Sequence, residues 1–106
     1  MKLNLKQMLV DLEGKVIELP EDEEGTMKEV TIKEVVVKGL LLPDQTCKDP
    51  KKQMERFTLA QDIYKAEDEF EVKSEQVTLI KERVANLAVV GMSPMLIGQT
   101  IKVIDG

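Results

Sequence analysis

The sequence has no histidine, no tryptophan and a single cysteine, Cys47, among its 106 residues. It also has no glycine-rich phosphate loop. Histidine and cysteine supply many of the proton carriers and nucleophiles that work near neutral pH, and paired Cys or His ligands hold most structural zinc ions. One cysteine cannot form a disulfide within the chain. We therefore expect no enzyme activity, no cofactor and no metal site, and we expect Cys47 to be an inert loop residue.

Aromatic residues are scarce as well, since Phe57, Tyr64 and Phe70 are the three that occur. The core must therefore be built from aliphatic side chains. Acidic residues outnumber basic ones by 20 to 15, which gives a formal net charge of −5. An acidic surface repels phosphate backbones, so we expect no direct nucleic-acid binding.

Long hydrophobic runs are absent. The short runs that occur, such as residues 35–37 and 40–42, are far shorter than the roughly 20 residues of a transmembrane helix. Residues 1–10 alternate polar and apolar side chains and lack the apolar region of a signal peptide. We expect one compact domain over residues 1–106, with no membrane partner and a cytoplasmic location.

Helix-capping patterns organise the first half of the chain. Asn4 with Gln7, and Thr31 with Glu34, both fit the capping box. They predict a short N-terminal helix over residues 5–11 and a longer helix over residues 32–42.

Three further helices are predicted in the second half. Asp49 followed by Pro50 favours a helix start, and that helix should end near residue 66. Ser74 begins the next helix, which ends at Gly91, and Ser93 with Pro94 begins the last. The predicted core stripes are Met54, Phe57, Ala60, Ile63 and Tyr64, then Val77, Ile80, Val84 and Leu87, then Ile97, Ile101 and Ile104. Gly98 lies within the last helix, which suggests a close helix approach there.

Extended segments are fewer and shorter. Residues 15–19 and 27–30 read as a β-hairpin, and residues 70–72 read as a short strand. We expect residues 30–31 to pair with residues 72–74. The predicted fold class is α+β and mostly helical, with four main helices, the short N-terminal helix, and a small β-hairpin or a three-stranded sheet.

Two acidic clusters are candidate partner-binding sites. The members are Glu21, Asp22, Glu23 and Glu24 in the first, and Glu67, Asp68, Glu69 and Glu71 in the second. Contiguous carboxylates lack the alternating ligands of a calcium loop, so a metal is disfavoured. Each cluster has two interpretations: it contacts a basic surface of a partner protein, or it is simply a solvated part of the surface.

Two other segments have a functional and a structural interpretation. The cations Lys48, Lys51, Lys52 and Arg56 lie at a helix start, where positive charge opposes the helix dipole. They could contact an acidic partner or form ordinary ion pairs. The apolar residues 92–101 could form a dimer face or a partner groove, or fold back as core, and folding back is favoured.

Two sets of residues stand in a familiar order. The first is Lys2-Leu3-Asn4-Leu5-Lys6-Gln7 followed by Asp11-Leu12-Glu13-Gly14-Lys15. The second is Leu59-Ala60-Gln61-Asp62-Ile63-Tyr64-Lys65-Ala66, then Val77-Thr78-Leu79-Ile80-Lys81-Glu82-Arg83-Val84, then Ser93-Pro94 and Ile97-Gly98-Gln99. Together they resemble small proteins of unknown function encoded by tailed bacteriophages and prophages. The apolar residues 88–92 depart from that pattern. The resemblance implies a phage or prophage origin and a compact protein inside a host bacterial cell, and it implies no activity.

These observations favour a non-enzymatic interaction protein that binds another protein with a basic surface. In its specific form, the hypothesis is an inhibitor of a host nucleic-acid-handling factor that uses the two acidic clusters. The alternative is a virion assembly or structural accessory protein that forms homo-oligomers through its C-terminal helix.

Overall fold

The computed structural model describes residues 2–20, 27–44 and 47–105. The strands in these ranges are β1 (Lys2–Asn4), β2 (Glu18–Pro20), β3 (Met27–Glu29) and β4 (Glu69–Glu71). The helices are α1 (Ile32–Leu41), α2 (Pro50–Lys65), α3 (Ser74–Ala85) and α4 (Pro94–Asp105), with a 3-10 turn over Asn86–Val90. The mostly helical α+β class is therefore confirmed.

The four main helices begin and end within a residue or two of the predicted bounds, apart from α3, whose final turn is the 3-10 turn. Asp49 caps α2 as expected, because its Oδ1 accepts from the Lys51 amide at 3.0 Å. Thr31 stands at the N-cap of α1 but makes no side-chain capping bond. Gly91 has φ +88° and ends the 3-10 turn in the left-handed conformation that favours glycine.

The predicted N-terminal helix is wrong. Residues 5–11 form a turn and isolated bridges, with Met8 opposite Thr31 and Val10 opposite Val16. The Asn4 side chain accepts from the Lys6 amide at 3.1 Å, so it caps a turn rather than a helix. A short polar side chain can cap either a turn or a helix. Here the bridges of Met8 and Val10 to distant residues favour the turn.

The strands form two separate antiparallel pairs, β1 with β4 and β2 with β3. The β2–β3 pair confirms the predicted hairpin, whose connecting residues 21–26 lie outside the described residues. The expected pairing of residues 30–31 with residues 72–74 is wrong, because β4 pairs with β1 in the register Leu3 to Phe70. The Val30 backbone already accepts from Leu9 at 2.9 Å and donates to Ile17 at 3.0 Å.

The core is aliphatic and surrounds α1, which contacts α2, α3 and α4. The buried apolar side chains are Leu3, Leu5, Leu9, Val30, Ile32, Val35, Val36, Leu40, Leu59, Ala60, Ile63, Val72, Ile80, Val84, Leu87, Leu96 and Ile104. None of the helices in the described part combines the length and the apolar composition that a transmembrane span requires.

Two of the predicted core stripes need correction. On α2 the buried face is Leu59, Ala60 and Ile63, whereas Met54, Phe57 and Tyr64 are exposed. On α4 the buried residues are Leu96, Thr100 and Ile104, and Ile97 and Ile101 are half-buried. The C-terminal segment therefore packs back on the core, as favoured above. On the predicted stripe that begins in α3, Ile80, Val84 and Leu87 are buried and Val77 is half-buried.

Candidate functional site

An apolar groove runs between the outer faces of α1 and α2. Val37 and Leu41 line it from α1, and Phe57, Ala60 and Tyr64 line it from α2. The cavity between them has a volume of about 330 Å³. Phe57 is 48% exposed and Tyr64 is 69% exposed. We call this feature the α1–α2 groove.

Helical spacing explains why these side chains line one groove. Val37 and Leu41 are four residues apart, so they lie one turn apart on the same face of α1. Phe57 and Tyr64 are seven residues apart, or about two turns of α2. Their face lies about 130° around the helix axis from the buried face of Leu59 and Ile63. Packing of α1 on α2 therefore leaves this second apolar face of α2 in solvent.

The α1–α2 groove continues into a depression on either side, and Val37 lines all three. One depression has a volume of about 650 Å³ and reaches Met8 and Tyr64. The other has a volume of about 630 Å³ and reaches Val90 and Met92. The apolar surface therefore extends along most of α1.

Lysines surround this surface. Its linings include the five lysines Lys6, Lys28, Lys33, Lys38 and Lys65, against the two carboxylates of Glu34 and Glu67. Lys28 pairs with Glu34 at 2.6 Å, and Lys6 pairs with Asp68 at 2.5 Å. Lys38 and Lys65 have no ion pair among residues 2–20, 27–44 and 47–105.

Lys33 fixes the edge of the groove at the end of α2. Its Nζ donates to the Ala66 carbonyl oxygen at 2.7 Å, where the helix dipole favours a cation. The same nitrogen lies 5.3 Å from the centroid of the Tyr64 ring. That distance allows a cation–π contact, which holds Tyr64 beside the groove.

The second acidic cluster borders β1. Glu69 lies opposite Asn4, and Glu71 lies opposite Lys2. The Asp68 carboxylate accepts a hydrogen bond from Lys6 and thereby raises the pKa of that lysine. All four carboxylates of the cluster belong to exposed residues. Part of their negative charge is offset by Lys2 of β1, opposite Glu71, and by Lys6, which pairs with Asp68.

The first acidic cluster, Glu21, Asp22, Glu23 and Glu24, lies outside the described residues. Within the residues that the structure describes, no group of three or more acidic or cysteine side chains is placed to hold a metal ion.

The predicted basic patch divides in two. Lys48, Lys51 and Lys52 are exposed, whereas Arg56 turns toward Asp44 and forms an ion pair at 3.1 Å. Asp44 also pairs with the buried Arg83, whose Nη1 lies 3.2 Å from the Asp44 Oδ2 atom. This second ion pair was not predicted from the sequence. A signal was present, since Arg83 stands on the α3 stripe directly before Val84.

The α1–α2 groove was not predicted from the sequence either, because the apolar spacing of α2 placed Phe57 and Tyr64 in the core. A signal was available in α2, where Leu59, Ala60 and Ile63 already complete a buried face. Further apolar residues on such a helix must line a second face.

No protein-family model, curated protein or solved structure matches this chain. The resemblance to phage and prophage proteins therefore stays a prediction. The function is inferred from the α1–α2 groove and the lysines around it.

Proposed function

We propose that this chain is a non-enzymatic interaction protein and that it binds another protein through the α1–α2 groove. The observation that carries the proposal is the position of its aromatic residues. Two of the three aromatic side chains, Phe57 and Tyr64, are exposed on one face of a regular helix beside an apolar cavity. Exposed aromatic residues around a pocket are typical anchors of protein interfaces.

The chemistry of the groove suits binding. Aliphatic and aromatic side chains supply apolar area whose removal from water favours association. Lysines at the margin set the charge of the partner and the rate of association. A contiguous apolar surface with a polar rim is a common form of protein-binding site.

The acidic clusters give a weaker basis for the same function. Glu67, Asp68, Glu69 and Glu71 could contact a basic surface such as that of a nucleic-acid-handling factor. However, Asp68 is paired with Lys6, and Glu71 faces Lys2 across the β1–β4 ladder. A partner would have to compete with these lysines, whereas it would find Phe57 and Tyr64 already exposed.

Oligomerisation through the C-terminal helix is also less well supported. Leu96, Thr100 and Ile104 of α4 are buried within the chain, so the apolar face of this helix is already covered. The strongly exposed apolar residues nearby are Val89 and Val90 of the 3-10 turn, which do not belong to α4.

Selection from a displayed library of random 16-residue peptides tests the proposed function. The immobilised chain should enrich peptides that bind it saturably. Phe57→Glu should weaken these peptides at least about tenfold, because anchor residues of interfaces contribute about 2 kcal/mol or more.

Met54→Glu is the matched control. Met54 is 63% exposed on the same helix but lines a different depression, between α2 and α3. The selected peptides should bind this variant as they bind the parent chain, and circular dichroism should show that both variants fold. The proposal is wrong if no peptide is enriched, or if the enriched peptides bind Phe57→Glu as tightly as the parent.

A further inference from the structure

We infer that the partner segment that occupies the α1–α2 groove is an amphipathic helix whose apolar residues are flanked by Asp or Glu. This inference rests on the proposed function and specifies the chemistry of the partner. It differs from the sequence-based expectation, in which the partner surface was basic.

The charge around the groove carries the first step. The whole chain has 20 acidic and 15 basic residues. Among the described residues around the groove the balance is reversed: five lysines stand against Glu34 and Glu67 of the linings and Asp68, which pairs with Lys6. The partner therefore approaches a positive region of an otherwise negative protein, and its own complementary charge is negative.

The position of the unpaired lysines carries the second step. Lys38 approaches the apolar surface from α1, and Lys65 approaches it from α2. Neither has a carboxylate partner in the described part of the chain. Acidic residues on both sides of the partner's apolar stripe would pair with these two ammonium groups.

The shape of the groove carries the third step. Its walls are two helices, with ridges formed by Val37 and Leu41 on one side and by Phe57 and Tyr64 on the other. A third helix packs its own ridges into such a groove. Helix α1 has 10 residues and therefore extends about 15 Å. That length accommodates two to three turns of a partner with anchors at positions i, i+4 and i+7.

Two other occupants are disfavoured by the same charges. A second copy bound face to face would bring two lysine-rich surfaces together, because a twofold contact uses the same surface on both chains. An anionic membrane would meet the lysines, but the apolar side chains line a recess between helices, and the chain as a whole carries a net charge of −5.

Three synthetic peptides of 16 residues provide the test. All have leucine at the same i, i+4 and i+7 positions, and the flanking positions are Glu, Gln or Lys. Circular dichroism establishes that their helix contents are comparable. Fluorescence anisotropy in 50 mM salt should show that the Glu peptide binds about tenfold more tightly than the Lys peptide. In 300 mM salt this difference should shrink.

Charge reversal identifies the lysines responsible. The double variant K38E/K65E should weaken the Glu peptide about tenfold and should favour the Lys peptide. The matched control is K48E/K52E, which changes the net charge by the same amount at exposed positions near the start of α2. That control should leave the preference for the Glu peptide intact.

The outcomes separate the inference from the proposed function. If the three peptides bind the parent chain equally and all bind the Phe57→Glu variant more weakly, the groove binds proteins, but the inference that its partner is acidic is wrong. If none of the three peptides binds, the inference of an acidic helical partner is wrong. The library selection then tests the proposed function independently.

Two other results would also contradict the inference that the partner is an acidic helix. One is binding to phosphatidylserine vesicles that exceeds binding to the Glu peptide and is lost in K38E/K65E. The other is a dimer in sedimentation that Phe57→Glu dissociates.

Discussion

Asp44 connects two arginines directly after the end of α1. Its Oδ2 atom accepts from Arg56 Nη1 at 3.1 Å and from Arg83 Nη1 at 3.2 Å. Arg83 is 2% exposed, and it also donates to the carbonyl oxygens of Gly39 at 3.3 Å and Leu42 at 2.7 Å. This arginine therefore fixes the end of α1 against α3, and Asp44 balances its charge.

Removing Asp44 should destabilise the fold. Asp44→Ala would leave the buried Arg83 guanidinium without its carboxylate, and an uncompensated buried charge costs about 3 kcal/mol or more. Urea denaturation should show a loss of about this size in the free energy of unfolding. Asp62→Ala is the control, since Asp62 is exposed on α2 and should change stability by less than about 0.5 kcal/mol. Equal effects of the two variants would show that the Asp44 ion pairs contribute nothing.

At the level of the helices, the close approach occurs between α1 and α3. A Cβ atom at Gly39 would lie 3.1 Å from the Arg83 carbonyl carbon and 3.1 Å from the Val84 nitrogen. These are backbone atoms, which cannot rotate away. A Cβ atom at Gly98 would have no described atom within 4 Å apart from its own helix backbone, so the close approach that the sequence suggested in α4 is wrong at that position.

The two glycines should therefore respond oppositely to alanine. Gly39→Ala must push α3 away from α1, and overpacking of this kind costs about 1–3 kcal/mol. Gly98→Ala should stabilise the chain by up to about 1 kcal/mol, because alanine favours a helix interior and the space around it is open. Thermal unfolding of both variants provides the check. A stabilising Gly39→Ala would mean that the helices separate without loss.

At the level of the whole molecule, Gln99 joins two regions that are distant in sequence. Its Oε1 accepts from the Val10 amide at 3.0 Å, and its Nε2 donates to the Val10 carbonyl oxygen. The side chain thus pairs with one residue of the N-terminal segment much as a neighbouring strand would. Helix α4 is held against the irregular residues 5–11 by this contact.

Gln99→Ala should lower the free energy of unfolding by about 1–3 kcal/mol, since it leaves two backbone groups of Val10 without a partner. Hydrogen exchange should show the effect at the Val10 amide, whose protection we expect to fall more than that of the α2 amides. Gln61→Ala removes an exposed glutamine from α2 and serves as the control. Unchanged exchange at Val10 would contradict the pairing.

The sequence predicted local structure better than long-range structure. Asp49 with Pro50 and the α3 stripe predicted helices correctly, because capping and periodicity act within a few residues. The partner of β1 could not be predicted, because an extended pattern does not specify which strand it pairs with. For the same reason Asn4 led to a helix where tertiary pairing produces a turn.

The candidate site was missed because a groove belongs to two helices at once. Spacing placed Phe57 and Tyr64 on an apolar face, but it could not show that α1 covers only the neighbouring face of Leu59 and Ile63. The positive charge of this surface could not be predicted either, because Lys38 and Lys65 are distant in sequence and border one apolar surface only when α1 packs on α2.

The pairing of β1 with β4 has a consequence for the order in which the chain folds on the ribosome. β1 is translated before β4, yet its hydrogen-bonding partner is Glu69–Glu71 of that later strand. Helices α1 and α2 can form early, because their bonds are local. Strand β1 then stays without this partner until residues 69–71 have been made, so the native topology is completed only after β4 has been translated.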